Sequence, residues 1–229
     1  MDSERKIHIG YAGSLASFFP SSGKTSLRSF LRKSQEGFKY DNLNSDTRSG
    51  YYLFRGIQRF KQKYPQQSVK LSLELWGSIH DGNRQQVLEL GIGDLVSIEG
   101  YFSKSDSVDK LKNCDILFLP LETAKNGQKP LMIPGKLFEL LSIGKPIFAL
   151  VEDSDCRDIL IESGLGIICS PFQEDEIANR LFEIFNDIEA IKEKHQPNKT
   201  YIEKFNFKNL TKELSSIFDK VQEQQSKSI

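Results

Sequence analysis

The sequence predicts an α/β fold: a single doubly wound parallel sheet of about six strands, with helices on both faces. Short apolar runs alternate along the chain with stretches in which apolar residues recur every three or four positions. Two of the runs, Ile116–Leu119 and Ile147–Val151, are continuously apolar, as is typical of strands buried on both faces. The 229 residues and an apolar fraction of 38% suffice for one core, so we expect residues 1–229 to form a single domain.

Charge and cysteine content argue against several classes of protein. The 31 Lys and Arg residues balance 31 Asp and Glu residues, so no nucleic-acid surface or electrostatic membrane anchor is expected. The apolar runs have strand length, which predicts neither a transmembrane helix nor a signal peptide. Cys114, Cys156 and Cys169 are odd in number and lack metal-ligand spacing, which indicates a reduced, cytoplasmic protein.

In the first half of the chain, strands and helices alternate behind a polar insertion. Residues 16–46 are rich in Ser, Asn, Lys and Gly, and we expect an insertion or a mobile loop there. Strands are predicted at Ile7–Tyr11, Val69–Trp76 and Val96–Glu99. Helices are predicted from Asp46 to about Tyr64, at 83–90, and at 107–113 after a Ser105–Asp106 cap.

The second half is organised around residues 115–151. After the strand at Ile116–Leu119, a polar loop leads to a helix that begins at Pro134–Gly135–Lys136 and stops at Gly144. The strand at Ile147–Val151 follows. The remaining elements are a helix after Asp155, a strand at Ile167–Cys169, an amphipathic helix at 174–194, a last helix from Phe207 to Gln222, and a tail, 223–229, expected to fray.

The start of the helix at Gly135 suits a phosphate group. Free backbone N–H groups and the positive end of the helix dipole attract anions, and Gly135 allows a close approach to the backbone. Lys136 adds a positive charge, and Glu139, one turn further, can accept hydrogen bonds from a ribose diol. These residues therefore predict a nucleoside diphosphate lying across the helix start; an ordinary α/β loop with a surface Lys and Glu is the alternative.

The run IPGKLFELLSIGKPIFAL, followed by EDSDCRDILIESGLGIICSP, resembles the C-terminal nucleotide-sugar-binding half of retaining GT-B glycosyltransferases of the group 1 type. That family includes many bacterial polysaccharide and lipopolysaccharide transferases, and the resemblance covers nearly the whole chain. It implies a Rossmann-like domain, a UDP- or GDP-sugar as donor, and no metal. It also implies a missing N-terminal acceptor-binding domain, through which any peripheral membrane association would run.

The resemblance also assigns site residues. The family often carries two glutamates eight positions apart; Glu139 matches the second, which contacts the donor ribose, whereas the first would fall at Leu131. The sequence departs from the family there, so a contact to the transferred sugar is not predicted. The diphosphate is assigned to the following residues: Gly13, Arg48, Gly135, Lys136 and Leu137. The base is assigned to Tyr101 and Phe102, and no catalytic residue is identified.

For several of these residues an ordinary structural role is the alternative to ligand binding. Gly13 could serve a plain turn, Arg48 could be an exposed side chain, and both aromatic residues could pack under the next helix. The acidic run Glu152–Asp155 could bind sugar hydroxyls, but N-terminal capping of the next helix is the preferred interpretation.

Two other functions stay open. The run PSSGKTS, with Lys24, is similar to a phosphate-binding P-loop of nucleoside triphosphatases, but Phe18 stands where that motif needs a glycine. A non-catalytic interaction domain is the other alternative, because Leu131 replaces the first glutamate. For a transferase, donor and acceptor must be held face to face, so we expect this chain alone to bind nucleotide and to transfer sugar poorly or not at all.

Overall fold

A computed structural model describes residues 5–16, 18 and 43–226 of the chain. At its centre lies a six-stranded, all-parallel sheet with the strand order β4-β3-β1-β5-β7-β8. The strands are β1 (Ile7–Leu15), β3 (Leu71–Ile79), β4 (Val96–Glu99), β5 (Ile116–Pro120), β7 (Ile147–Leu150) and β8 (Gly166–Cys169). Two short segments, β2 (Leu43–Asn44) and β6 (Thr123–Ala124), pair antiparallel beside it. The predicted fold class is confirmed.

Helices cover both faces of this sheet. They are α1 (Tyr51–Lys63), α2 (Pro65–Ser68), α3 (Asp81–Glu89), α4 (Lys104–Asn113), α5 (Gly135–Ile143), α6 (Asp155–Glu162), α7 (Glu174–Asn186), α8 (Ile188–Lys194), α9 (Lys199–Ile202) and α10 (Phe207–Ser226). Three 3₁₀ turns, Ser45–Arg48, Lys125–Gly127 and Glu203–Phe205, join them.

The continuous apolar runs arise because the sheet has a separate core on each face. Successive side chains of a strand point to opposite faces. In β5, Ile116 and Phe118 therefore belong to the core under α1 and α7, whereas Leu117 and Leu119 pack with α5 and α6 on the other face. Apolar residues are needed at every position of such a strand, which is the pattern that the sequence shows.

Two strand predictions were wrong at their ends. β1 does not stop at Tyr11 but runs to Leu15, because its parallel pairing with β3 continues from Ile7↔Leu71 to Leu15↔Ile79. For the same reason β3 ends at Ile79 rather than Trp76, and Val69 lies before the strand, exposed after the short helix α2. Gly13 consequently lies inside a strand and not in its exit loop.

Three helix predictions were wrong in detail. The helix expected from Asp46 to Tyr64 is divided into a 3₁₀ turn and α1, since Ser49 forms an isolated bridge with Ala16. The helix expected at 174–194 breaks at Asp187, whose carboxylate accepts the Ala190 N–H (3.0 Å) and caps α8. α4 is capped by Ser103, which accepts the Asp106 N–H (3.1 Å), rather than by Ser105–Asp106.

The last helix, α10, extends four residues past its predicted end at Gln222. Its apolar side chains are exposed; they are Phe207, Leu210, Leu214, Ile217, Phe218 and Val221. In the part of the chain that the structure describes, no helix is both long and apolar enough to cross a membrane. Most of the segment 16–46, predicted to be an insertion, and the end of the tail, 227–229, lie outside the described residues.

Candidate functional site

Two adjoining cavities lie at the carboxyl edge of the sheet, where ligands bind in open α/β folds. Both are lined by Gly13, Ser14 and Lys136. What we call the inner cavity adds Arg48, Glu122 and Ser154 among others, and what we call the outer cavity adds Tyr101, Phe102 and Glu139 among others. Together they form one groove whose middle is the end of β1 and the start of α5.

The groove brings together most of the predicted site residues. Gly13 and Lys136 occupy its middle, Arg48 lies on the inner side, and Tyr101, Phe102 and Glu139 lie on the outer side. The other two, Gly135 and Leu137, flank Lys136 in the first turn of α5 without lining either cavity.

The start of α5 has the form that the sequence predicts. Pro134 is its N-cap in extended conformation, no side chain caps the helix, and Gly144 ends it at φ +76°. The Leu137 N–H donates to the Pro134 carbonyl (3.0 Å) and the Leu137 side chain is buried, so any contact of Leu137 with a phosphate would compete with that bond. Lys136 Nζ lies 2.9 Å from Glu139 Oε2, which keeps the cation beside the helix start.

Gly13 and Gly77 let the strands β1 and β3 end in close contact. The two residues are partners in the parallel register, and Gly77 has φ +117°. A Cβ on Gly77 would lie within 3.0 Å of the Gly13 carbonyl oxygen, and one on Gly13 would lie 3.7 Å from Lys136 Cε. Gly13 is therefore more than a plain turn residue, because it lies directly under the Lys136 side chain.

The Tyr11 side chain hydrogen-bonds to the end of its own strand, β1. Its hydroxyl donates to the Ser14 carbonyl (2.7 Å). Burial raises the pKa of Tyr11 to about 12, against the opposing effect of the nearby Arg48 cation. Tyr11 is thus neutral at pH 7, and it adds no negative charge to a groove lined by Lys136 and Arg48.

Arg48 lies at the end of a 3₁₀ turn and not at a helix start as predicted. Its guanidinium Nη1 is 3.9 Å from Glu122 Oε1, and its side chain is about half exposed. The preceding residue, Thr47, is fully buried and bonds to the loop after β5. Arg48 is therefore anchored through its backbone, while its guanidinium remains accessible from the inner cavity.

The two predicted base-binding aromatics differ in environment. Tyr101 is 85% exposed, so its ring is available to a ligand. Phe102 is half-buried against the core under α4, and Lys110 Nζ lies 4.3 Å from its ring centroid. The packing alternative thus describes Phe102, with its edge on the outer cavity, and does not describe Tyr101.

Capping, the interpretation preferred from the sequence, explains only part of the acidic run at 152–155. The Ser154 hydroxyl accepts the Arg157 N–H (3.2 Å) at the start of α6, and Asp155 lies in the first turn. Asp153 pairs with Lys129 (3.1 Å), and the Ser170 hydroxyl donates to Glu152. Only Ser154 of this run lines the inner cavity.

Sequence reasoning missed several residues of the groove, among them Glu122, Ser154 as a lining group, and Gly77. The only signal for Glu122 was its place two residues after a buried strand, at the edge where ligands bind. Within the described residues no group of three or more His, Cys, Asp or Glu side chains could hold a metal ion. The GKTS run with Lys24 lies outside the described residues.

Comparison with known proteins shows which solved structures share this fold. No family model matches the chain, and no curated protein matches it. Among solved structures it is similar to HepE of Anabaena in complex with UDP (15% identity, 93% of this chain and 49% of that chain, TM-score 0.50). It is also similar to TarM of S. aureus (13%, 93% and 36%, 0.54) and to the pneumococcal O-GlcNAc transferase GtfA with UDP and GlcNAc (16%, 97% and 37%, 0.50).

The chain has the Rossmann-like fold of one half of the GT-B architecture. At these identities the likeness concerns the fold. The chain spans less than half the length of each of the three proteins named.

Proposed function

We propose that this chain is the donor-binding domain of a glycosyltransferase that moves a sugar from a nucleoside-diphosphate sugar to an acceptor. The observation that carries the proposal is the convergence of Gly13 and Lys136 in the middle of the groove, with Glu139 on one side and Arg48 on the other. Three of the structures with a similar fold, HepE, a second TarM structure and GtfA, contain UDP.

The order of these groups matches the order of the parts of a nucleotide sugar. In the outer cavity, Glu139 would accept hydrogen bonds from the ribose hydroxyls, and Tyr101 would cover the base. In the middle, the amide groups at the start of α5 and the Lys136 ammonium would hold the diphosphate. Arg48 would bind it from the inner side, since a guanidinium pairs with phosphate oxygens in bidentate fashion.

This arrangement would help the diphosphate to leave. Cleavage of the bond between the sugar anomeric carbon and the diphosphate builds negative charge on the phosphate oxygens. Cations and helix N–H groups positioned beforehand stabilise such charge, so Lys136 and Arg48 would supply the positive charge without a metal.

Transfer also requires an acceptor. We propose that a second Rossmann-like domain supplies the acceptor site, and that the exposed apolar side of α10 packs against it. Polysaccharide or lipopolysaccharide synthesis is the process we propose. We place the protein in the cytoplasm, where its three buried cysteines would stay reduced.

Binding of nucleotides to the wild-type chain tests the proposal. We would record thermal unfolding with UDP, GDP, ADP and ATP–magnesium, and then measure Kd by calorimetry. A ligand at about 100 times its Kd stabilises the fold by about 2.7 kcal/mol. We expect one diphosphate to bind, and Lys136→Ala to weaken it by about 10–100-fold because a charge-assisted contact is lost. Lys212→Ala, which removes an exposed charge from α10, is the matched control.

The alternative of a non-catalytic interaction domain has one observation in its favour. Leu131, where the family motif has its first glutamate, is 93% exposed and does not line the groove. If no nucleotide binds to the wild-type chain, or if Lys136→Ala and Lys212→Ala bind the same diphosphate equally well, the donor-site proposal is contradicted and this alternative takes precedence.

A further inference from the structure

Glu122 is a carboxylate of the inner cavity to which no role is assigned above. It follows β5 by two residues, and its side chain is only 13% exposed. Its one ion pair among the described residues is the long contact of 3.9 Å with Arg48, and no hydrogen bond of its carboxylate oxygens is seen there. A carboxylate that is largely withdrawn from water and weakly paired has unused capacity to accept hydrogen bonds.

The backbone around Glu122 is held in place by buried contacts. The Thr47 hydroxyl donates to the Leu121 carbonyl (2.9 Å) and accepts the Thr123 N–H (2.9 Å). Thr123 also pairs with Asn44 in the small antiparallel sheet. These bonds fix the residues on both sides of Glu122 before any ligand arrives, and such preorganisation lowers the cost of binding.

The position of Glu122 along the groove determines which part of a ligand it can reach. Glu139 and Tyr101 line only the outer cavity, Lys136 and Gly13 line both cavities, and Glu122 lines only the inner one. With the ribose at Glu139 and the diphosphate at Lys136, the next group in a nucleotide sugar is the sugar. Glu122 therefore lies on the sugar side of the diphosphate.

The chemistry of a carboxylate fits that position. Its two oxygens can accept hydrogen bonds from two adjacent hydroxyl groups, whereas a phosphate offers it no donor. The Arg48 cation, which lies 3.9 Å from Glu122 and is about half exposed, offsets the repulsion between the Glu122 carboxylate and the diphosphate. We propose that Glu122 is a specificity-determining residue that accepts hydrogen bonds from two adjacent hydroxyls of the transferred sugar. This inference rests on the proposed donor site.

The experiment compares nucleotides with and without the sugar. Calorimetry would give the Kd of UDP, UDP-glucose, UDP-galactose and UDP-N-acetylglucosamine, or of GDP and GDP-sugars if GDP is the nucleotide that binds. Three proteins are compared: the wild type, Glu122→Ala and the matched control Glu193→Ala, which removes an exposed carboxylate from α8. Glu122→Gln, which keeps the shape of the side chain, is added in case Glu122→Ala does not fold.

We expect at least one nucleotide sugar to bind the wild type more tightly than the free diphosphate. Glu122→Ala should weaken that nucleotide sugar by about 10-fold or more, as the loss of hydrogen bonds to a charged group implies, and Glu122→Gln should weaken it less. The free diphosphate should bind Glu122→Ala as well as the wild type or better, because Arg48 loses its acidic neighbour. Glu193→Ala should change neither affinity.

Other outcomes overturn the inference, and they differ from a failure of the proposed function. Equal weakening of diphosphate and nucleotide sugar would mean that Glu122 only positions Arg48. Equal affinities of the wild type for both ligands would mean that no sugar contact exists. If the wild type binds no nucleotide at all, the donor site itself is contradicted and the inference falls with it.

Discussion

Gly77 offers a direct test of how the groove is built, through the substitution Gly77→Ala. Gly77 has φ +117°, a conformation that an alanine adopts at a cost of about 1–3 kcal/mol. The new methyl group would also lie within 3.0 Å of the Gly13 carbonyl oxygen and 3.1 Å from its carbonyl carbon. Both contacts are with backbone, which cannot rotate away as a flexible side chain would, so β1 and β3 must separate at the groove.

The expected loss of stability follows from these two effects. Overpacking of a rigid contact costs about 1–3 kcal/mol, so with the conformational cost the free energy of unfolding should fall by about 2–6 kcal/mol. For a chain of this size, that corresponds to a decrease in Tm of about 4–24 °C. Because Gly13 moves, nucleotide affinity should fall in the molecules that remain folded.

Differential scanning fluorimetry and urea unfolding would measure the effect. Gly93→Ala is the matched control, since a Cβ there meets only Leu88 Cδ2 at 3.9 Å and no positive φ is required. Its Tm should stay within about 2 °C of the wild type or rise slightly. A Tm of Gly77→Ala equal to that of Gly93→Ala would refute the close approach of β1 and β3.

Two further predictions concern titrating groups. Burial alone would raise the pKa of Asp115, but the His8 N–H and the Lys192 ammonium outweigh it, so the pKa lies below its usual value near 3.8. The ionised Asp115 carboxylate therefore stabilises the fold above pH 3.8, and this stabilisation is lost as pH falls through the lower folded-state pKa. Asp115→Asn should lower the free energy of unfolding by about 1–3 kcal/mol at pH 7. The difference in Tm between the wild type and this variant should shrink in acid. An unchanged difference in Tm between pH 7 and pH 2.5 would contradict this. Burial also raises the pKa of Cys114 and Cys169 to about 12 and that of Cys156 to about 11. None of the three thiols should therefore react with Ellman's reagent at pH 8 in the folded protein. All three should react once guanidinium unfolds it. Rapid reaction of one thiol in the folded protein would show that its burial is wrong.

The outcome for α5 shows why some of the site could be predicted from sequence. Its start at Gly135 and its end at Gly144 depend on proline, glycine and the spacing of leucines within a few residues of each other. Lys136 and Glu139 lie one turn apart on the same helix, so their proximity follows from helix geometry. Such local features were predicted correctly.

The breaks at Ser49 and Asp187 were missed for the opposite reason. The apolar spacing of 174–194 continues across Asp187, so periodicity favours one long helix there, whereas residues 46–49 carry no apolar side chain that could have marked a break. Ser49 leaves the helix because it pairs with Ala16, a partner far away in the sequence. The cap at Asp187 is local, yet an aspartate inside an amphipathic pattern is equally typical of an exposed helical position.

The sequence by itself determined the parallel α/β class, the two-sided burial of the strands and the bounds of α5, at whose start we propose a phosphate site. Each depends on residue types and on short-range periodicity. The backbone geometry of a single helix or strand converts such a pattern directly into local structure. Only the tertiary structure decided that Arg48 and Tyr101 lie on opposite sides of Lys136, and that Gly77 makes room for Gly13. It also decided that Thr47, 74 positions away from Leu121, bonds to the loop that carries Glu122. The physical reason is that strand order and register bring distant loops to one edge of the sheet, and no local pattern encodes which of them will meet.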